Sequence, residues 1–500
     1  MCAAKALRIH GTDNVLVATV PVSAGDSVEY SGGTLQVMED IPRGHKIALV
    51  DIPVQDNIMK YGYQIGHATV DIRKGQWVHT HNAKTNLSGK EEYRYQPSVT
   101  RPSERIIDLP ASFDGYVREN GDVGVRNEIW ILNTVGCVNK AAETLAKMAD
   151  SELRGDGIDG VYHFAHPYGC SQLGDDLLYT QKALAGLVRH PNAAGVLVLG
   201  LGCENNRIQE FRPFLNDVPE EKIRFLALQD IEDEFEEGMR LLRELADYAR
   251  TFKREKVPVS RLKIGLKCGG SDGFSGITAN PLVGALSDLV VAQGGTSLLT
   301  EVPEMFGAET ILMNRAVDDR VFGDVVSLIN DFKDYYTRHH QVIYENPSPG
   351  NKDGGITTLE EKSLGCIQKG GTSPVVDVVP YGISATKPGL SLVQAPGNDM
   401  VSVTALTTAG AHMVLFTTGR GTPMGAAVPT VKISTNTSLY EKKRNWIDFN
   451  AGSLVEGDDM QSLAASLYNT MIDIASGRVQ TRNEKNGFRE IAIFKDGVTL

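Results

Sequence analysis

Hydrophobic and polar positions alternate differently along successive stretches of the chain. Residues 1–92 carry short apolar runs at 15–20, 34–37, 47–52, 68–72 and 77–79. Gly, Pro and Asp turns separate these runs, a pattern that predicts a small β-rich module. Residues 93–112 are polar and Pro-bearing with no period, which is linker composition. Residues 113–260 read as buried-type strands at 128–135, at 160–166 and from 193 up to Cys203, each followed by a loop and a helical run. A strand at 223–228 and an amphipathic helix from 230 to about 256 follow. Residues 261–500 continue the alternation. Strands are expected at 262–266, 295–302, 375–380, 413–417 and 430–434, and helices at 282–291, up to 338, around 359–364 and at 461–476. The tail FREIAIFKDGVTL reads as an edge strand. The fold class is therefore α/β, with a small N-terminal β-rich module followed by a larger α/β region of mainly parallel sheet in two subdomains.

Composition narrows the function classes. The 500 residues are 41% hydrophobic and 22% charged, ordinary for a soluble globular chain. A net charge of −12 argues against a broad nucleic-acid surface, which needs clustered Lys and Arg. No run approaches the roughly 20 apolar residues that cross a bilayer, and the start MCAAKALRIHG lacks a signal-peptide core. Six scattered cysteines make no disulfide framework, so a cytoplasmic, reducing location is expected.

Chemistry concentrates in glycine-broken loops. KCGGSDGFSGITANP (267–281), NPSPGNKDGG (346–355) and FTTGRGTPMG (416–425) each place charge among glycines and hydroxyls. Such loops suit a small anionic, hydroxylated ligand, because glycine lets backbone N–H groups approach it. Arg420 can grip a carboxylate bidentately. Cys137, Cys170, Cys203 and Cys268 each follow a predicted strand. Three thiolates would suit an iron–sulphur cluster and one or two a single soft metal, although no CxxC pair is present and free cysteine is often a small core residue. His79 and His81 share a face if their strand continues, with His45 in a nearby turn.

The stretches GHKIAL, HTHNAKTNLS, NGDVGVRNEIWILNTVGCVN, HPYGCSQLGDD, GLGCENN, CGGSDGFSGITANP, TEVPEMFGAE, YENPSPGNKDGGITTLEEKSLGC, FTTGRGTP and FREIAIFKDGVTL resemble the altronate/galactarate dehydratase family over essentially the whole chain. The resemblance implies an N-terminal SAF-type module, dehydration of D-altronate to 2-dehydro-3-deoxy-D-gluconate in hexuronate breakdown, and dependence on Fe2+, with Mn2+ as the alternative. For that reaction Lys352 or His166 is expected as base and Tyr168 or Asp272 as acid. Arg420, Ser271 and Thr422 are expected to hold the carboxylate, and Asn280 and Asn351 the sugar hydroxyls. The expected metal ligands are His45, His79 and His81, with Cys170, Cys203 and Cys268 as the alternative and an iron–sulphur cluster as the second cofactor reading. The expected partner is a small sugar acid, with no nucleic acid and no membrane, and a homo-oligomer is an open expectation. Another substrate of the family, such as galactarate or a sulphonated hydroxy acid, and a non-catalytic sugar-acid sensor remain as rivals.

Overall fold

The computed structural model describes residues 5–98 and 109–497. Half of the expected linker (99–108) and the last three residues of the expected tail strand lie outside that range. The β-rich module is antiparallel. Ala6–Leu7, Val15–Ala18, Lys46–Ala48 and Trp77–Val78 form a four-stranded sheet, beside the hairpin Ser27–Tyr30/Gly33–Gln36 and a three-stranded sheet of Asn57–Lys60, Tyr63–Ala68 and Ala83–Lys84. Tyr93 and Tyr95, which precede the undescribed stretch, bond Glu309 and the Ala316 carbonyl, so the chain leaving the module is tied down.

Two parallel sheets follow. The first has the order Gly160–Phe164, Glu128–Asn133, Ala193–Gly200, Ile223–Ala227. Its central strands are buried at every position, as a sheet covered by helices on both faces requires. The second has seven strands, ordered Val375–Val379, Gly389–Val393, Thr296–Leu299, Lys263–Cys268, Met413–Thr418, Thr430–Ser434, Phe449–Asn450, all parallel. We call these sheets with their helices the second and third units. No described helix is long and apolar enough to cross a membrane.

Three expectations need correction. The long helix stops at Ala249, and Arg254–Pro258 turns back as a strand beside Ser112–Val117. Pro258 disfavours helix at the residue before it. The strand Gly389–Val393 and the helix Asp399–Thr408 were not anticipated. The tail up to residue 497 is not a strand. It buries Ile491 and Ile493, but its N–H groups bond Thr404 Oγ1, Tyr381 Oη and Asp176 instead of a neighbouring ladder.

Candidate active site

Ligands of open parallel sheets collect beyond the strand carboxyl ends. In the third unit, Lys263–Cys268, Thr296–Leu299 and Met413–Thr418 end side by side and release the loops carrying Ser271, Asp272, Glu301 and Arg420. The β-module lies directly against these loops. A Cβ on Gly273 would stand 2.1 Å from the Gly44 carbonyl oxygen, and one on Gly355 2.3 Å from the same atom. Only glycines permit that approach, and Gly355 also has φ of +102°.

Charge locks the seam. Lys46 and Lys60 each reach a different oxygen of Glu361 at 2.8 Å, and all three are buried. Burial opposes ionisation of Glu361, but the two ammonium groups prevail and lower its pKa to about 2. Burial also lowers Lys46 to about 8, while Lys60 is held above its usual range because Glu361 and Tyr61 outweigh its burial.

The structure pairs the histidines differently from the expectation. The strand ends at Val78, so His79 and His81 do not share a strand face, and His81 is exposed against Trp77. His45 and His79 are buried with ring centroids 4.8 Å apart. His45 accepts from Trp77 Nε1 at Nδ1 and meets the Asp353 carbonyl with Nε2. His79 Nδ1 meets Thr357 Oγ1 at 3.2 Å. Burial, then the Lys46 charge, lowers His79 to about 3, so its ring is neutral at physiological pH.

The loops singled out in the third unit converge. Arg420 donates to the Gly350 carbonyl, Asn351 donates to the Ser271 carbonyl, and a Cβ at Gly419 would meet the Asp272 carboxylate at 2.3 Å. Lys352 sits on the short helix Pro349–Asp353 at this crossing, half-buried. Thr422 is half-buried, and its Oγ1 accepts only from Met424 N. Asp272 receives Phe274 N, Ser275 Oγ, Thr435 Oγ1 and Asn436 Nδ2. Burial pushes its pKa up, yet four donors occupy it, so it ties loops together instead of transferring a proton. Asn280 bonds the Gly365 carbonyl and Thr417, while Asn351 also accepts from Ser348 and Lys362. These two amides frame the site and are not free for sugar hydroxyls.

His166 and Tyr168 lie elsewhere, on the loop after Gly160–Phe164 in the second unit. His166 is buried, with Nε2 on the Asn133 carbonyl and Nδ1 accepting from Tyr168 N, which leaves no nitrogen for a substrate. Cys170 and Cys203 are also in the second unit, and both are exposed. Cys268 is buried in the third unit, so the three thiols expected to share a metal are divided between two sheets.

Cys268 belongs to a group that spacing did not reveal. Its sulphur and ligand atoms of Glu301, Glu304 and Cys366 all lie within 4.8 Å of one another, the only such group among the described residues. The geometry suits a metal, but the charges are already matched. Lys267 and Lys369 pair with Glu301, Lys362 with Glu304 at 3.3 Å, and Lys369 Nζ lies 2.8 Å from Cys366 Sγ. Despite burial, Lys267 and Lys369 lower Glu301 to about 2. Cys268 is drawn down chiefly by its hydrogen bond with Cys366, the two sulphurs lying 3.8 Å apart. A divalent ion would enter a buried, neutralised cluster and have to expel ammonium groups, which is costly. The histidines are not gathered as ligands either, so the seam does not fit the implied iron(II). Glu301 itself carried one sequence signal, its place at a strand end. Its left-handed backbone (φ +69°), Glu304, Cys366 and the three lysines carried none.

Comparison with known proteins matches this geometry. Three family profiles cover the chain: "Altronate/galactarate dehydratase SAF domain" over residues 4–86, "D-galactarate dehydratase/Altronate hydrolase, second domain" over 115–250, and "D-galactarate/Altronate dehydratase, C-terminal" over 259–499. The chain is 54% identical to an altronate dehydratase of Bacillus subtilis (strain 168), with 99% of each chain covered. It is 53% identical to an altronate dehydratase of Escherichia coli (strain K12), again over 99% of each. Identity to galactarate dehydratase (L-threo-forming) of Escherichia coli (strain K12) is 33%, covering 98% of this chain and 96% of the relative. A SAF module, two parallel α/β units and whole-length identity agree: the chain belongs to the D-galactarate/altronate dehydratase family.

Proposed function

We propose that this enzyme removes water from D-altronate to give 2-dehydro-3-deoxy-D-gluconate, a step of hexuronate breakdown in the cytoplasm. The carrying observation is the convergence of the Ser271–Asp272, Lys352 and Arg420 loops beneath the β-module, in a chain 54% and 53% identical to two altronate dehydratases. Identity to the galactarate enzyme is much lower, which favours altronate over galactarate.

The reaction takes a proton from C2, beside a carboxylate, and expels the C3 hydroxyl. Lys352 is the base. It has no carboxylate partner among the described residues and stands on the segment that touches the module, Ser271 and Arg420. Arg420, half-exposed, donating to the Gly350 carbonyl and 4.0 Å from the Asp353 carboxylate, holds the substrate carboxylate as negative charge builds on it, with Thr422 adding a hydroxyl donor, whereas the buried Ser271 hydroxyl donates to Cys268 Sγ. The neutral His79 ring offers an N–H to the departing hydroxyl. Asp272 keeps the loops in register. Iron(II) or manganese, the metal the family resemblance implies, would act as a Lewis acid. No step here is assigned to it, because the seam residues do not fit it.

The test is an assay of aldonates and aldarates for 2-keto acid release. Turnover of altronate above the others is expected. Binding without water loss would mark a sensor, and faster galactarate turnover would move the assignment.

A further inference from the structure

One group of side chains has no part in the seam chemistry. Cys137, Cys170 and Cys203 are the first thiols beyond three neighbouring parallel strands, Glu128–Asn133, Gly160–Phe164 and Ala193–Gly200, with the Cys137 strand in the middle. All three are exposed and free. Neighbouring strands lie about 4.8 Å apart, so the three strand ends span roughly 10 Å.

The loops are laced together independently of any ligand. Gly136 N donates to the Tyr168 carbonyl, Asn206 N to the Gly169 carbonyl, Ser171 N to Asn205 Oδ1, and Asn206 Nδ2 to the Thr134 carbonyl. A Cβ at Gly169 would stand 1.9 Å from the Thr134 oxygen, so the Cys170 loop is pressed onto the Cys137 loop. A second observation concerns unmet polar groups. Asn133 and Asn206, both fully buried at this rim, each leave the side-chain oxygen without a partner. Among the described residues no Lys, Arg or acid bonds any of the three sulphurs. The described partners are the neutral Gln229 amide on Cys203 and the Ser171 hydroxyl near Cys170.

Spacing decides which cofactor such thiols can take. One ion holds sulphur at about 2.3 Å, so three sulphurs on it lie within about 4.6 Å of each other. These sulphurs are not gathered within 4.8 Å, the distance met only by the Cys268 group among the described residues. A cluster of several irons spreads its thiolates more widely, and rigid, amide-rich loops are the surroundings that tune one. We propose that Cys137, Cys170 and Cys203 together hold an iron–sulphur cluster whose remaining iron has no protein thiolate and is open to an oxygen ligand. Cys137 thereby replaces Cys268 in the thiol set read from the sequence. The proposal does not depend on which acid the enzyme dehydrates.

The test uses the full chain, reconstituted without oxygen with ferrous iron and sulphide. The proposal expects a brown protein with a visible charge-transfer band and about four irons and four sulphides per chain. Cys137→Ser, Cys170→Ser and Cys203→Ser should each lose most of the band, with circular dichroism confirming the fold, whereas Cys366→Ser keeps it. Alkylation read by mass spectrometry needs no variant: reconstitution should shield Cys137, Cys170 and Cys203 together. Iron bound without sulphide, colour that survives all three replacements, or the three thiols still alkylated after reconstitution would overturn the cluster. An intact cluster in a chain inert toward altronate would instead overturn the activity.

Discussion

The second and third units carry cysteines at equivalent places, the carboxyl ends of parallel strands, and treat them in opposite ways. In the third unit Cys268 and Cys366 are buried among Glu301, Glu304, Lys267, Lys362 and Lys369, and every charge has a partner. In the second unit Cys137, Cys170 and Cys203 face solvent, and the described hydrogen-bond partners of their sulphurs are neutral. Buried charges must be compensated on folding, so the third-unit rim is complete as a protein structure. The second-unit rim is built from laced loops yet leaves its thiols without a charged bond partner among the described residues and two buried amide oxygens unmet. Proximity of ligand atoms favours the third-unit rim, whereas charge balance argues against an ion entering it.

The sharpest way to break this contrast is thiol labelling of the metal-free chain. Cys137, Cys170 and Cys203 should react at once, while Cys268 and Cys366 wait for opening of the core, on the order of 10³-fold slower or more. Equal rates measured by mass spectrometry would remove the distinction. Next in size is Lys352→Met, which should cut turnover about 10²–10⁴-fold with little change in KM, as loss of a base predicts. A raised KM at unchanged kcat would reduce Lys352 to a binding group.

Glu361→Gln probes charge balance at the seam. It leaves Lys46 and Lys60 buried without their anion and should cost about 3–5 kcal/mol in denaturant unfolding. The acid limb has the same origin. The folded pKa of Glu361 is depressed to about 2, so its stabilisation is complete above the unfolded value of about 4.3 and is lost as pH falls from there toward 2. The Gln variant should lack this part of the acid transition in a melting series between those limits. Smallest is Arg420→Lys, which keeps the charge but loses the planar fork. About a tenfold fall in kcat/KM is expected, and an unchanged value would place the carboxylate elsewhere.

Local patterns revealed much of this architecture, and long-range geometry explains what they missed. The runs at 128–133 and 193–200 are buried throughout because helices cover both faces of their sheet, and their apolar stretches Ile129–Leu132 and Ala193–Gly200 read as strands. The tail misled because alternating Ile491 and Ile493 suit a strand, while its backbone partners are side chains distant in sequence. His79 and His81 were paired on the assumption of a strand that ends one residue too soon. Glu301, Glu304 and Cys366 approach Cys268 only through the order of the seven strands and the helix Leu359–Cys366, which no spacing records. The loops at 267–281, 346–355 and 416–425 were legible as one chemistry because glycine, hydroxyl and charge recur in each.

The most direct measurement follows D-altronate by NMR in deuterated water with the full-length enzyme, its Lys352→Met variant and its Cys366→Ser variant. The account predicts 2-dehydro-3-deoxy-D-gluconate from the native enzyme and almost none from the lysine variant. The Cys366 variant should turn over at a rate far closer to native, since its thiol balances charge and does not touch substrate. Full turnover without Lys352, or no product from the native chain in the presence of iron(II), would contradict a dehydration centred on the seam beneath the β-module.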